Sequence, residues 1–287
     1  MAEYLLDAFA YPPIQRAALA CILCGASCSL LSVFVVLMKM PLMGVSMSHA
    51  AFAGAVLGML LDINPALSGF IMCLLAAGVL GPLSDRTDMA PENVLGIMFS
   101  FLMGVAFLGM GILTRTKAGA LNLMWGSLLS LSRSDIVVLA FVTSLLVLFV
   151  LLFFKEIRLV LFHRRLATAS GVPARAIYYT LLFLTGAAVS SNLATVGGLL
   201  IFALLVQPGA TALQLTYNLK HFFIISAASG VGSCISGLIV SYFFDLPSGA
   251  AVVLMATIIF AAAYIFSPKR RAAKLKKRSM YHEDDAR

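Results

Sequence analysis

The sequence has 287 residues, of which 61% are apolar and 11% are charged, whereas roughly 25% of the residues in a soluble domain are charged. This composition excludes an ordinary soluble domain, and the long continuous apolar runs exclude a membrane β-barrel, whose strands alternate in polarity. The net charge of +8 does not require a nucleic-acid partner, because the basic residues concentrate in short loops and in a C-terminal tail. We therefore predict an all-α, polytopic membrane protein.

Residues 1–16 are predicted to form an interfacial segment. Tyr4, Leu6 and Phe9 can lie in the headgroup layer of the membrane. Glu3 and Asp7 stand where a signal peptide would carry basic residues, so we do not predict a cleaved signal.

Apolar runs between helix breakers define the predicted spans of a membrane domain at residues 17–267. The runs cover residues 17–38, 41–61, 66–82, 92–113, 134–154, 176–193, 195–213, 221–244 and 247–267. Gly119–Leu131 is apolar but too short to cross, so we expect an interfacial or re-entrant helix there. The runs predict nine crossings, or eight if Thr195–Gly209 breaks or re-enters.

The distribution of Lys and Arg orients the chain. Most of these residues lie on the cytoplasmic side if loops 38–41, 83–91, 155–175 and 214–220 and a basic tail at 268–287 are placed there, as the positive-inside rule requires. The C-terminus is therefore predicted to be cytoplasmic. The side of the N-terminus depends on whether eight or nine helices cross.

The longest predicted cytoplasmic connection, 155–175, contains a short amphipathic helix. Phe162, Leu166 and Ala169 recur at helical spacing, and Gly171 precedes a proline that stops the helix. Such a helix suits docking to a soluble partner, and it equally suits a basic helix lying on lipid. The pattern alone leaves both interpretations open.

Sequence motifs of a self-sufficient enzyme are missing. The sequence contains no Gly-x-x-x-x-Gly-Lys-Ser/Thr phosphate loop and no His-Glu-x-x-His. Its acidic residues lie at span ends or in loops, not at the mid-span depth that a proton-driven carrier uses. We predict a protein that is not an enzyme and binds no cofactor of its own, so that energy comes from another subunit or the protein is passive.

His49 is the only ionisable side chain in the apolar run from Pro41 to Leu61. A helix starting at Pro41 would place it roughly 12 Å along the axis, near the middle of a hydrocarbon layer about 30 Å thick. A titratable group at that depth usually faces a pathway or a partner, so His49 is the first candidate metal ligand. The alternative is a buried neutral imidazole hydrogen-bonded to another helix.

Neighbours of His49 could complete a metal site. Ser46, one turn earlier, could lend a hydroxyl, although it also belongs to a ridge of small residues suited to helix packing. Met43 and Met47 could bind a soft ion, although filling the core is the more common role of methionine.

Three more polar or soft features fall in or beside predicted spans. Cys21, Cys24 and Cys28 share one helical face; buried packing is expected, and a soft-metal site is the alternative. Gln207 precedes a proline that frees a carbonyl one turn earlier, and such a broken helix can line an ion path. Glu92 is predicted at a cytoplasmic helix start, where it complements the helix dipole, and is a lesser candidate ligand.

Short blocks in a consistent order along the chain carry a family resemblance. The blocks are Leu5–Pro12, Val33–Leu37, Leu42–Ala50, Glu92–Ile97, Trp125–Asp135, Leu166–Pro173, Val196–Ala212, Tyr242–Ala250 and Phe266–Arg270. Together they resemble the membrane permease of bacterial ATP-binding-cassette importers for zinc, manganese and iron. The resemblance covers nearly the whole chain, and Val196–Ala212 is its strongest block.

The resemblance implies a fold and a set of partners. The fold would be that of cobalamin- and metal-importer permeases, in a homodimer whose subunits flank one path across the bacterial inner membrane. ATPase subunits would hold the ATP and dock below, and a metal-binding lipoprotein or periplasmic protein would dock above, where Asp245 faces outward. The segment that couples to the ATPase would include Phe162, His163, Arg164, Arg165, Leu166 and Gly171.

Two positions depart from the family pattern. The family carries Gly-Asp-x-x-x-His, and the Asp position is Val45 here, so only His49 transfers from that ligand pair. Related permeases carry Asp-Pro-Glu where this chain has His163, Arg164 and Arg165, which implies an ATPase with a more acidic groove or altered docking.

The expected function is that of a permease subunit in an ATP-driven importer of a divalent transition metal, with zinc or manganese as first choices. One alternative is the same architecture adapted to a metal chelate or other cargo, since Val45 removes the anionic ligand. The other is a non-transporting membrane scaffold or sensor that recruits cytoplasmic partners through Phe162–Gly171.

Overall fold

The computed structural model describes residues 11–87, 89–113 and 131–269. Most of the predicted interfacial segment, most of Gly119–Leu131 and nearly all of the basic tail lie outside these residues. The proposed division at residues 16 and 267 therefore stays a prediction.

The described residues form ten helices. In chain order they are α1 (Pro12–Leu37), α2 (Leu42–Leu60), α3 (Pro65–Arg86), α4 (Pro91–Ile112), α5 (Arg133–Leu152), α6 (Phe154–Ala169), α7 (Ala174–Val196), α8 (Gly198–Leu215), α9 (Leu219–Phe244) and α10 (Ser248–Ile265). All except α6 correspond to predicted spans, and α6 is the amphipathic helix expected within 155–175. The all-α prediction is confirmed.

Helix boundaries follow local signals in the sequence. Proline occupies the first turn of α1, α3 and α4, where its missing N–H leaves no intrahelical bond unmade. Ser132 and Asp135 form a capping box at the start of α5. Because α1 begins at Pro12, the last residues assigned to the interfacial segment belong to the first helix.

The α7–α8 boundary decides between eight and nine crossings. Gly197 alone separates the two helices and has φ +83°, a conformation that costs glycine little and other residues more. Eight helices of the described chain are long and apolar enough to span a membrane, and the apolar part of α8, Leu200–Leu215, is shorter. The break predicted between Thr195 and Gly209 is therefore real, but α8 continues past it.

Contacts among helix ends identify a common face. Asp85 near the end of α3 pairs with Arg164 of α6 and with Arg175 at the start of α7. Phe154 at the start of α6 packs against Phe223 near the start of α9. Because α9 directly follows α8, α8 ends at this end of the bundle, where Lys269 donates to the carbonyl of Leu213. We call the end formed by residues 38–41, 83–87, 89–90, 153–175, 214–220 and 266–269 the basic face, and the other end the opposite face. These contacts favour nine crossings.

α1 and α2 form the centre of the bundle. The apolar stretches of α1 and α2 are 67% and 72% buried, whereas those of α4, α5 and α10 are only 28%, 28% and 22% buried. α2 packs against α3 and α4, and α1 packs against α8 and α9. His49 therefore lies on the most enclosed element of the fold, next to the more exposed α4.

All five cysteines are buried and unpaired. The Cys24 thiol contacts those of Cys28 and Cys234, which joins α1 to α9. No group of three or more His, Cys, Asp or Glu side chains that could hold a metal ion occurs among the described residues. The structure thus gives no support to a soft-metal site at Cys21, Cys24 and Cys28.

Candidate translocation site and coupling surface

His49 is half-buried on α2, and its ring is held from two sides. Nδ1 lies 2.8 Å from the main-chain oxygen of Val45, one turn earlier. The ring of Phe99 on α4 meets the imidazole edge to face, with 4.9 Å between centroids and 84° between planes. The imidazole orientation is therefore set by its own helix and by α4.

The contact with Val45 selects the form of the imidazole that can bind a metal. A carbonyl oxygen can only accept, so Nδ1 carries the proton and donates. In the neutral ring Nε2 then keeps its lone pair, which is the usual arrangement of a histidine that ligates a metal. This local geometry offers one neutral nitrogen ligand.

The exposed part of α2 is a narrow strip that contains His49. Leu42 is exposed and Val45 and His49 are half-buried, whereas nearly all other residues between Leu42 and Val56 are buried. Val45 and His49 lie one turn apart on one helix face. Val45 therefore faces the same space as His49 and offers it an isopropyl group where a carboxylate would supply oxygen ligands.

Ser46 and the two methionines point into the core. The Ser46 hydroxyl donates to the carbonyl of Leu95 on α4 at 2.8 Å, and its residue is only 1% exposed. Met43 and Met47 are also buried. All three side chains therefore have partners in the core, which is the alternative to metal binding. None of them lies on the exposed strip with His49.

Gln207 lies on the far side of α8 from His49. α8 meets α2 through Phe202 and Leu205, which approach Gly44. Gln207 is turned toward α10, where its Nε2 donates to Thr257 Oγ1 at 3.0 Å, and its Oε1 is buried without a hydrogen-bond partner in the described part of the chain. The structure does not bring Gln207 together with His49.

Glu92 lies in the first turn of α4 and is exposed. It precedes Phe99 by two helical turns on the same face, about 10 Å nearer the basic face. Glu92 is therefore too far from His49 to share one ion with it, but it lies on the route from His49 toward the basic face.

The helix α6 presents an apolar surface at the basic face. Phe162 and Leu166 are 57% and 58% exposed, while Ile157, Val160 and Ala167 on its other side are buried. His163 interrupts the helix with φ −151° and ψ 84°. Gly171, with φ +79°, follows the helix end. The exposed side also carries His163 and Arg165.

Arg164 is turned the other way, into the bundle. Its guanidinium makes two parallel contacts of 3.1 and 3.2 Å with the carboxylate of Asp85 and lies 4.5 Å from the centre of the Tyr178 ring. The charge of Arg164 is therefore neutralised by Asp85 within the protein. The exposed basic groups on this surface are those of His163 and Arg165.

Asp245 marks the opposite face. It ends α9 in the left-handed conformation, with φ +50°, and is exposed in the short connection to α10. That this face points outward stays a prediction. The role of Asp245 in binding another protein also stays a prediction.

Sequence reasoning did not single out Phe99, Asp85, Tyr178 or Tyr179. Phe99 resembles any aromatic residue of an apolar span, and Asp85 resembles any acid at a span end. One usable signal was a carboxylate in a region rich in arginine, because an acid there needs a nearby cation. Its partners lie 79 or more residues away in the sequence, which spacing cannot reveal.

The class of protein follows from these observations together with three comparisons with known proteins. A bundle of helices long and apolar enough to span a membrane, with a half-buried imidazole on its most enclosed helix and an amphipathic helix at one face, fits a membrane transport permease. The chain belongs to the ABC 3 transport family, whose model matches residues 10–267. It is thus the permease subunit of an ABC transporter, and ATP hydrolysis belongs to a separate subunit.

Named relatives and a solved structure support the assignment. The manganese transport system membrane protein MntC of Halalkalibacterium halodurans is 32% identical over 91% of this chain and 89% of its own length. The chelated iron transport system membrane protein YfeD of Yersinia pestis is 28% identical over 91% of this chain and 88% of its own length. The structure of PsaBC from Streptococcus pneumoniae in complex with Fab matches with a TM-score of 0.84 and 26% identity, covering 96% of this chain and 100% of that one. The predicted family and fold are confirmed.

Proposed function

We propose that this chain forms the membrane path of an ATP-driven importer for a divalent transition metal, with manganese as the first candidate. Relatives at this level of identity are named for manganese and for iron transport. The observation that carries the proposal is the half-exposed His49, whose Nδ1 donates to Val45 and leaves Nε2 available. Zinc, our other first choice from the sequence, binds imidazole well and stays a cargo to be tested.

Val45 limits how the cargo can be held. Manganese favours oxygen ligands, and the strip around His49 offers no carboxylate from α2 in the described residues. Remaining ligands must therefore come from a second subunit, from water or from the cargo itself. A metal chelate, which brings its own ligands, is the second candidate cargo, and the name of the Yersinia pestis relative favours it.

A homodimer would supply the second subunit. Gly96, Ser100 and Gly104 form an outward stripe on α4, and nothing in the described protomer approaches a Cβ built at either glycine. Small residues at four-residue spacing allow a second helix to approach closely in a membrane. Phe99, beside this stripe, touches His49, so pairing through α4 would bring two imidazoles toward one path. Cross-linking of a Ser100→Cys variant in membranes tests this arrangement.

The two faces of the bundle suggest where the ATPase and the metal-binding protein dock, and hence how the chain is oriented in the membrane. An ATPase subunit would dock on the exposed side of α6 through Phe162 and Leu166, which makes the basic face cytoplasmic, as the positive-inside rule also requires. A metal-binding protein would dock on the opposite face near Asp245. The chain would then lie in the bacterial inner membrane with its C-terminus in the cytoplasm.

The test is uptake by the complete complex in proteoliposomes, with its ATPase and binding protein. Manganese, zinc, iron and chelated iron are supplied in separate assays. We expect His49→Ala to lower uptake by at least about tenfold, because even the second-shell partners of metal ligands are worth that much.

His221→Ala provides the matched control, because His221 is exposed at the start of α9 and should transport normally. Wild-type uptake by His49→Ala would remove His49 from the path. A wild-type complex that moves the chelate and none of the free ions would replace the first cargo with the second. Movement of none of these cargoes would contradict the proposed function.

A further inference from the structure

Asp85 is the centre of a polar cluster that joins three helices at the basic face. Its carboxylate receives two contacts from Arg164 of α6 at 3.1 and 3.2 Å. The Tyr179 hydroxyl of α7 donates to Oδ2 at 3.0 Å, and Arg175 Nε lies 3.5 Å from the same oxygen. One carboxylate on α3 thus holds both the docking helix and the start of α7.

The two arginines contribute unequally. Both terminal nitrogens of Arg164 contact the Asp85 carboxylate. This bidentate geometry is the most specific arrangement of a guanidinium and a carboxylate. The Arg164 side chain is 38% exposed and that of Arg175 is 77% exposed, so solvent screens the second pair more strongly. The Asp85–Arg164 pair is therefore the main attachment.

A second contact extends from this pair toward the helix that carries His49. The Arg164 guanidinium lies 4.5 Å from the centre of the Tyr178 ring, an attractive cation–π distance. The buried Tyr178 hydroxyl contacts the Met40 sulfur at 3.8 Å. Met40 lies in the turn immediately before α2, and its carbonyl accepts from the N–H of Met43 in the first turn of that helix.

We propose that Asp85 is the positioning residue through which movement of α6 reaches the helix that carries His49. The proposal rests on the proposed function, because it requires an ATPase docked on α6. When a docked ATPase displaces Phe162 and Leu166, Arg164 moves with them, since all three lie on one short helix. Asp85 and Tyr178 pass that displacement to α3, α7 and the start of α2. Without the carboxylate, α6 still binds the ATPase, but its movement no longer displaces the helix that carries His49.

The experiment compares ATP hydrolysis with metal uptake in the reconstituted complex. For Asp85→Asn we expect the complex to assemble and hydrolyse ATP, while metal moved per ATP falls by about fivefold or more, the lower end of ordinary coupling between two sites. Asp85→Glu keeps the charge and should recover part of the ratio. The exchanged pair, Asp85→Arg with Arg164→Asp, should transport better than either single variant.

Arg86→Gln is the matched control. Arg86 is the next residue and is exposed, and the ion pairs of Asp85 with described residues are with Arg164 and Arg175. The ratio of metal moved to ATP hydrolysed by Arg86→Gln should therefore equal that of the wild type. An Asp85→Asn complex with a normal ratio would overturn the proposal, and so would one that loses ATPase binding and uptake together. Failure of the wild-type complex to transport would instead contradict the proposed function, so the two failures are distinguishable.

An independent observation concerns a cavity of about 350 Å³ between α1, α5 and α9 at the basic face. Its walls are apolar apart from Lys220, and they include Leu30, Val150, Phe154 and Phe223. Leu30 lies seven residues before the end of α1, so the cavity reaches about 10 Å into the membrane. The Lys220 ammonium makes no hydrogen bond or ion pair with the described residues and is exposed at the rim.

We infer that this cavity binds an anionic phospholipid, with an acyl chain against the apolar walls and the phosphate beside Lys220. An unpaired cation at headgroup depth attracts anionic lipid, and the apolar walls exclude a free phosphate ion from the interior. Phe154 begins α6 and packs against Phe223 of α9, with the rings tilted by 60° and their centroids 5.9 Å apart. The bound lipid would therefore contact the first residue of α6.

Native mass spectrometry of the complex, released from nanodiscs of equal parts phosphatidylglycerol and phosphatidylcholine, tests this site. The wild type should retain phosphatidylglycerol preferentially, and Lys220→Gln should lower that preference by about fivefold, the value expected for one Lys charge near the surface. Ile224→Trp, which narrows the cavity, should release both lipids. Arg86→Gln should behave as wild type. Equal retention by the wild type and Lys220→Gln would overturn the inference.

Discussion

His49 donates from Nδ1 to the main-chain carbonyl of Val45, 2.8 Å away. Val45, at the position where the resemblance implies an acidic ligand, thus holds the histidine through its backbone. Because a backbone carbonyl is available at any residue, this hydrogen bond survives the substitution, and only the oxygen ligands of the side chain are lost.

Val45→Asp should restore a carboxylate one turn from His49 on the same helix face. Oxygen ligands favour manganese over softer ions, so we expect the apparent affinity for manganese to rise and the ratio of manganese to chelate uptake to increase. Competition between the two cargoes in proteoliposomes measures this ratio.

Val45→Asn is the control, because it has similar size and polarity without the charge. An Asp variant that assembles normally and leaves the cargo ratio equal to that of the Asn variant would show that this position does not face the cargo.

Ser46→Ala separates packing from metal binding. The Ser46 hydroxyl donates to Leu95 from a fully buried position, so its loss should lower the stability of the folded protein by about 0.5–1.5 kcal/mol. We expect a lower thermal midpoint in detergent and an unchanged apparent affinity for metal. A reduced affinity with an unchanged midpoint would instead make Ser46 a ligand.

Two glycines form a matched pair for helix packing. A Cβ at Gly209 would lie 2.5 Å from the carbonyl oxygen of Ser32 on α1, whereas nothing lies within 4 Å of one at Gly232. Gly209→Ala should therefore destabilise the fold by about 1–3 kcal/mol through overpacking. Gly232→Ala should be neutral or stabilising, because alanine favours helices by up to about 1 kcal/mol.

Thermal unfolding of the two glycine variants under one detergent condition provides the comparison. Equal midpoints for Gly209→Ala and Gly232→Ala would contradict the close approach of α8 to α1.

Phe162→Ala should weaken binding of the ATPase subunit. An exposed aromatic side chain is the typical anchor of a protein interface, and truncation of such an anchor costs about 2 kcal/mol or more. We expect loss of the ATPase during co-purification, with normal insertion of the permease. Phe244→Ala is the control, because Phe244 is also exposed, at 71% against 57% for Phe162, but lies near the opposite face. Equal retention by both variants would remove Phe162 from the docking surface.

The sequence by itself determined the class of fold. The nine predicted spans correspond to nine of the ten helices, because about 20 apolar residues between breakers have no other stable form in a membrane. The sequence also predicted that His49 lies within the second helix, which begins next to Pro41, and that a helix occurs within 155–175. Helix ends differed by a few residues where prolines could start a helix early, as at Pro12.

Only the tertiary structure decided which faces of these helices meet. Polarity barely varies around a membrane helix, so a sequence pattern cannot tell Ser46, buried against α4, from His49, half-exposed one turn away. For the same reason, the sequence could not show that Gln207 faces away from His49. It also could not show that Arg164 points inward to Asp85 while Phe162 is exposed. These orientations depend on the packing of small residues and on contacts between residues far apart in the chain, which local propensity does not encode.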